Sequence, residues 1–266
     1  MTGLTLTKHH GLGNDFLVVF HPGVQDLAAL ARRLCDRRRG LGADGLLVGE
    51  TEPGYAARMV LFNADGGRAE MSGNGIRCFA QALAARRGNL DSQRISTDAG
   101  ERMVHLAPTE HADTILASVH MGQVTTIPEP AEWAALGCHP DRPVAHLSLG
   151  NPHAVVGVDD VDVVDLLALG SQVPQLNLEI VEPGEHQHEI RMRVHERGAG
   201  VTQACGTGAC AAAHAAAMWG LATASDGKLV VHMDGGSATV ELDAPGPGDV
   251  TLTGPATYVA TIQVGL

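Results

Sequence analysis

The chain has 266 residues, of which 44% are hydrophobic, 18% charged and 3% aromatic, with 33 Gly and a formal charge of −12. Such an acidic balance argues against a nucleic-acid or anionic-membrane binder, whose affinity rests on basic patches. The apolar share excludes disorder and is large enough to fill a core of small aliphatic side chains in one large or two small domains.

In chain order, apolar stretches bounded by Gly, Asp and Pro predict strands at Phe16 to Phe20, Met59 to Phe62, Ala154 to Val158 and Leu229 to Met233. Two helices are predicted, Gly75 to Arg86 and Gly208 to Trp219, each directly after a Gly-rich loop. Both are apolar on most faces, which predicts burial on every side. Pro128 to Pro143, rich in Pro, Ala and Glu, reads as a connection with a short surface helix.

The halves repeat one another. Leu12-Gly13-Asn14 matches Leu149-Gly150-Asn151, Asn63 matches Glu196, Ser72-Gly73-Asn74-Gly75 matches Cys205-Gly206-Thr207-Gly208, and Asp98-Ala99-Gly100 matches Asp234-Gly235-Gly236. The order is kept and the offsets span 133 to 137 residues, the signature of a duplicated unit. The expected fold is therefore α+β, two pseudo-symmetric domains, each a mostly antiparallel or mixed sheet wrapped around a central helix. The expected division is 1–120, joined by the C-terminal strand 257–266, and 121–256.

Five cysteines, Cys35, Cys78, Cys138, Cys205 and Cys210, are odd in number and too sparse for a disulfide scaffold, which points to a reducing compartment. The N-terminus lacks the basic and apolar regions of a secretion signal, and the Ala-rich stretch Ala209 to Ala224 is too weakly apolar to span a membrane, so a cytoplasmic location is expected.

A Gly-x-Gly loop opening a helix presents first-turn N–H groups and the positive end of the helix dipole, which suits a carboxylate or phosphate. Cys78 and Ala211 stand where the third Gly of a dinucleotide loop would be, so no nucleotide site is expected. Each loop places one side chain at its helix start, Ser72 and Cys205. A thiol at that position is expected to have a lowered pKa; the alternative is a small, inert core residue. Cys205, Cys210 and His214 imitate a zinc set, but poly-Ala surroundings offer no polar second shell, so no metal is expected. His195-Glu196-Arg197 puts an acid between two bases before the Cys loop, and an exposed ion pair on a strand end is the plainer reading. Asn14, Asn63, Asn151 and Asn177 sit at strand ends or turns, where Asn is common for structural reasons.

Taken together, KHHGLGNDF from Lys8, RRGLGADGLL from Arg38, NADGGRAEMSGNGIRCFA from Asn63, TDAG from Thr97, GNPHAVV from Gly150 and HERGAGVTQACGTGACAAA from His195 resemble the diaminopimelate epimerase family. The resemblance implies a site between the two domains and a cofactor-independent amino-acid epimerase interconverting LL- and meso-2,6-diaminopimelate, in which one thiol gives and another takes the α-proton. It implies that Cys205 is one of that pair and that Ser72 stands where the family has the other. The amides of Gly73, Asn74, Gly206 and Thr207 would hold the α-carboxylate, and Asn63, Asn177 and Arg197 the distal one. Asn14 and Asn151 would line the pocket, and His153 and Glu196 would contact the amino group or tune the thiol. A homodimer with a small-molecule substrate is implied. Because a hydroxyl is a weak acid, Ser72 leaves other readings open: a residue that holds a ligand unreacted, a Ser/Cys racemase, epimerase or dehydratase of another amino acid, or a silent amino-acid-binding protein.

Overall fold

The computed structural model describes residues 3–137 and 141–265; Cys138 and part of the expected 128–143 connection lie outside them. The chain divides into two compact units. The first takes the described residues up to Val119 together with those from Gly254 onward, and the second runs His120–Thr253. No helix among the described residues is long and apolar enough to cross a membrane.

The first unit contains β1 (Gly3–Gly11), β2 (Asn14–Phe20), α1 (Leu27–Cys35), β3 (Gly45–Glu50), β4 (Ala57–Asn63), β5 (Arg68–Ala69), α2 (Gly73–Arg87), β6 (Gln93–Thr97), β7 (Gly100–Pro108) and most of β8 (Thr114–Gln123). Antiparallel pairing joins β1 to β2, β3 to β4 and β6 to β7 to β8, and parallel pairing joins β2 to β3 and β4 to β6. The final strand of the chain, β17 (Asp249–Gly265), pairs with both β1 and β8 and so closes the sheet into a barrel. Helix α2 runs through it against β1, β2, β3, β4 and β7, buried from Gly73 to Ala84. That all-round burial is what its apolar, low-amphipathicity sequence predicts.

The second unit contains β9 (Thr125–Thr126), β10 (Val144–Ser148), β11 (Pro152–Gly157), α3 (Leu166–Gly170), β12 (Asn177–Pro183), β13 (Glu189–Glu196), β14 (Gly200–Thr202), α4 (Gly206–Trp219), β15 (Lys228–Met233) and β16 (Gly236–Leu242). Its pairings repeat those of the first in order and sense, with β11–β12 and β13–β15 parallel and the others antiparallel. Helix α4 is the counterpart of α2, packed on β10 to β13, β15 and β16 with Ala209 to Ala213, Ala215 and Ala216 buried. Both central helices end at a left-handed glycine, Gly88 at φ 72° and Gly220 at φ 70°, the usual C-terminal stop.

Each unit holds one helix more than expected. In α1, Leu27, Leu30, Ala31, Leu34 and Cys35 form one apolar stripe, and Asp26 caps the start by accepting from Ala29 N at 2.8 Å. That stripe packs with Leu4, Leu6, Leu17, Leu46 and Val60 into the core on the side of the sheet away from α2. In the second unit α3 plays this part with Leu166 against Val161, Leu178 and Ile180. The short helix of the connection is a 3-10 turn, Ala131–Leu136, and its Trp133 is buried in that same cluster rather than lying on the surface.

Candidate active site

In the first unit the hairpin turn Leu12-Gly13, with φ 55° and 82°, brings Asn14 to the start of β2. Ser72 caps α2, its Oγ accepting from Gly75 N at 3.0 Å. Behind the cap a directed chain of hydrogen bonds runs from the core outward. The wholly buried Arg77 guanidinium donates to Asn74 Oδ1 at 2.7 Å, Asn74 Nδ2 to Asn14 Oδ1 at 3.2 Å, and Asn14 Nδ2 to Asp44 Oδ2 at 2.7 Å. Asp44 is held in turn by Arg37, which also grips Asp15, and Lys8 completes that cluster at 2.9 Å from Asp15. Asn63, half-buried, ends β4 opposite Gly45.

In the second unit Cys205 caps α4, its Sγ 3.3 Å from the Gly208 N–H and 3.5 Å from Thr207 Oγ1. Asn151 Nδ2 donates to Thr207 Oγ1 at 3.2 Å, and Asn151 Oδ1 lies 3.1 Å from His153 Nε2. The ring's other nitrogen, Nδ1, lies 2.7 Å from Glu179 Oε1, and both residues are fully buried. Glu196 accepts from Thr202 Oγ1 at 2.5 Å and interacts with the Cys205 side chain. Asn177 is occupied at both ends of its amide, Nδ2 donating to Pro152 O at 3.2 Å and Oδ1 accepting from Arg197 N at 2.8 Å. It thereby positions the backbone of Arg197, whose side chain is exposed.

Two expectations change. The Cys205 thiol is raised well above its ordinary value, not lowered: burial dominates, Glu196 and Glu179 add negative charge, and the Thr207 and Gly208 hydrogen bonds only partly offset them. The helix-start effect is present but loses. The Glu196 carboxyl is also raised, mainly by burial, so neither group ionises readily, and the carboxyl faces Thr202 and Cys205 rather than standing in an exposed ion pair. His195 is buried, its ring against Gly170, where a Cβ would meet it at 2.1 Å. One participant was absent from the sequence reading altogether. Glu179 sits in a continuous apolar stretch of β12, and the sign of its role was the cost of a lone carboxylate at such a position.

Among the described residues no group of three or more His, Cys, Asp or Glu is arranged to hold a metal; Cys210 is wholly buried and His214 half-buried on α4. A cavity of about 1240 Å³ in the first unit, lined by residues such as Thr7, His9, Gln81, Arg86 and Tyr258, takes in none of the expected site residues. The chemistry therefore concentrates at two helix starts with matching amides and unlike side chains, a hydroxyl in one and a thiol with carboxylates in the other.

The profile of a family described as diaminopimelate epimerase matches residues 6–127 and 146–259. A diaminopimelate epimerase of Neisseria meningitidis is 39% identical with 97% of each chain covered, and that of Azotobacter vinelandii is 37% identical with 99% of each covered. Among solved structures, a phenazine biosynthesis protein of the PhzF family from Bacillus anthracis superposes with a TM-score of 0.77 at 16% identity, covering all of both chains. A hydroxyproline epimerase from Agrobacterium vitis, with bound trans-4-hydroxy-L-proline, superposes at 0.69 and 15% identity over 99% of this chain and 91% of that one. These two likenesses concern the fold. The sequence relatives, matched from end to end, decide the rest: this chain belongs to the diaminopimelate epimerase family, whose members are amino-acid isomerases.

Proposed function

We propose that the protein epimerises 2,6-diaminopimelate at its α-carbon by proton transfer alone, with Cys205 as the group that gives and takes the proton on one face. The observation that carries this is the Cys205 cap, a buried thiol at a helix start with Glu196 beside it and Thr207 fixed against its sulfur. At rest the sulfur keeps its proton and is an acid. It becomes a base when that proton passes to Glu196, whose own carboxyl is raised. The first-turn amides of α4, Gly206 and Thr207, and those of α2, Gly73 and Asn74, suit the α-carboxylate, into which charge flows as the α-proton leaves. In this reading Asn14 and Asn151 contact the substrate, and the exposed Arg197, with Asn63 and Asn177, binds the second carboxylate. The reaction needs no pyridoxal phosphate, nicotinamide or metal, the working form is a cytoplasmic homodimer, and dialysis against a chelator and light scattering check the first and second points.

Ser72 is the weak partner. A hydroxyl held only as a helix cap cannot stand as a base at neutral pH without a neighbouring base to activate it. Exchange is therefore one-sided. In D2O one epimer loses its α-proton faster than it inverts while the other is nearly inert, and Ser72→Cys restores exchange and inversion for both. Inversion in both directions at the Ser72→Cys rate with Ser72 intact contradicts this. A Ser/Cys enzyme for another amino acid is the second reading, favoured by the hydroxyl at this position, and separates from the first when Arg197→Met leaves binding intact.

A further inference from the structure

We propose that Glu179 is a positioning residue for Cys205: the buried Glu179–His153 pair fixes where the protons lie along a hydrogen-bond chain that ends on the Cys205 sulfur. This rests on reading Cys205 as the proton-transferring group.

With the Asn151 amide oriented as it is, donating to Thr207, the chain has one consistent direction. An amide can accept only at oxygen and donate only at nitrogen. Asn151 donates from Nδ2 to Thr207 Oγ1, so its Oδ1 must accept from His153 Nε2, which therefore carries hydrogen. Thr207, having accepted from Asn151, has its own proton left to donate to Cys205 Sγ at 3.5 Å. With Nε2–H committed to Asn151, the 2.7 Å contact between His153 Nδ1 and Glu179 Oε1 must contain one more proton, on whichever atom it rests. Replace the carboxyl by a group without that proton and the ring can turn its hydrogens around, reversing every donor down to the thiol.

A second observation places Glu179 beside the sulfur directly. The position that a Cβ on Gly208 would occupy is 2.6 Å from Glu179 Oε1 and 3.2 Å from Cys205 Sγ. The carboxyl and the thiol thus flank one glycine with no side chain between them. Glu179 Oε2 is buried with no hydrogen-bond partner among the described residues, so the group is held in place against an unfavourable cost that packing alone does not explain. Around the sulfur the titratable groups among the described residues are Glu196 on β13, Glu179 on β12 and His153 on β11. Two influences of Glu179 oppose each other at Cys205. Its charge disfavours the thiolate, while the oriented Thr207 donor favours it, and charge outweighs one long O–H···S contact.

The test is a titration of the Cys205 thiolate by its ultraviolet absorbance, each protein read against its own Cys205→Ala counterpart, with circular dichroism confirming the fold. No substrate is involved, so an inactive enzyme, which would sink the epimerase reading, leaves this measurement intact. Glu179→Gln should move the midpoint to lower pH by about one unit, giving about tenfold more thiolate at a fixed pH below it. Thr207→Val, nearly isosteric, should move it the other way and lower the thiolate several-fold. A folded Glu179→Gln with the wild-type midpoint overturns the proposal. Should Glu179→Gln fail to fold, Thr207→Val decides alone: a shift upward supports the chain, and an unchanged midpoint overturns it.

Discussion

Replacing His153 by Leu is the sharpest test of the energetics of the thiol half-site. The ring is wholly buried, and its Nδ1 is the partner of Glu179 Oε1 at 2.7 Å; Oε2 already has none among the described residues. Leu fills a similar volume, so the change of shape costs less than about 1.5 kcal/mol. Stranding the carboxylate costs about 3–5 kcal/mol, which is the larger effect. With an m-value of about 3 kcal/mol per M, the urea midpoint falls by roughly 1 M or more. Trp133 and Trp219 both belong to the second unit, so tryptophan fluorescence reports the unfolding of the half that carries the mutation. Removing the carboxylate as well, in His153→Leu with Glu179→Met, exchanges a buried polar pair for apolar groups and should recover most of the loss. A single variant within 1 kcal/mol of wild type, or a double variant no more stable than the single, refutes the argument.

Asp15 supplies a pH dependence. Burial raises its carboxyl, but hydrogen bonds from Arg37 and Lys8 outweigh this and hold it below the ordinary carboxylate value. A depressed folded pKa gives stability that is full above the unfolded value of about 3.9 and is lost as pH falls through the folded one. Asp15→Asn should therefore be less stable at neutral pH, with the gap in urea midpoint closing below about pH 4; a constant gap contradicts it. Cys35 and Cys78 have thiols pushed up to about 12, chiefly by burial. Neither should react with iodoacetamide in the folded protein at mildly alkaline pH, and peptide mass spectrometry showing either labelled before unfolding would count against the packing described for them.

The duplication was legible because turn and cap chemistry survives in short strings: Leu-Gly-Asn at two hairpins, and Ser-Gly-Asn-Gly and Cys-Gly-Thr-Gly at two helix starts. The central helices were legible because their composition admits no exposed face. Helix α1 carries ordinary signals, an Asp cap at Asp26 and an apolar stripe from Leu27, but its nine residues are too few for the helical period to stand out from the sequence around it. Helix α3, at five residues, is too short to show a period. The thiol's environment is a different kind of miss. Cys205, Glu179 and Glu196 come from three separate elements, and no local rule says that two carboxylates fold against one cap. Local chemistry predicted a lowered thiol, and tertiary packing reversed the sign.

The closure of the first barrel by β17 has a consequence for biosynthesis. Gly3 pairs with Gly265 and Leu4 with Val264, so β1 waits for β17, made after every other strand described, before its edge is paired. The His120–Thr253 unit is one uninterrupted stretch, whereas its neighbour is split between the two ends of the chain. Until β17 has been synthesised, β1 and β8 both carry an open edge, the kind of surface that recruits other strands. A variant cut before Gly254 would leave those two borders uncovered, which makes β17 the fastener of the first unit.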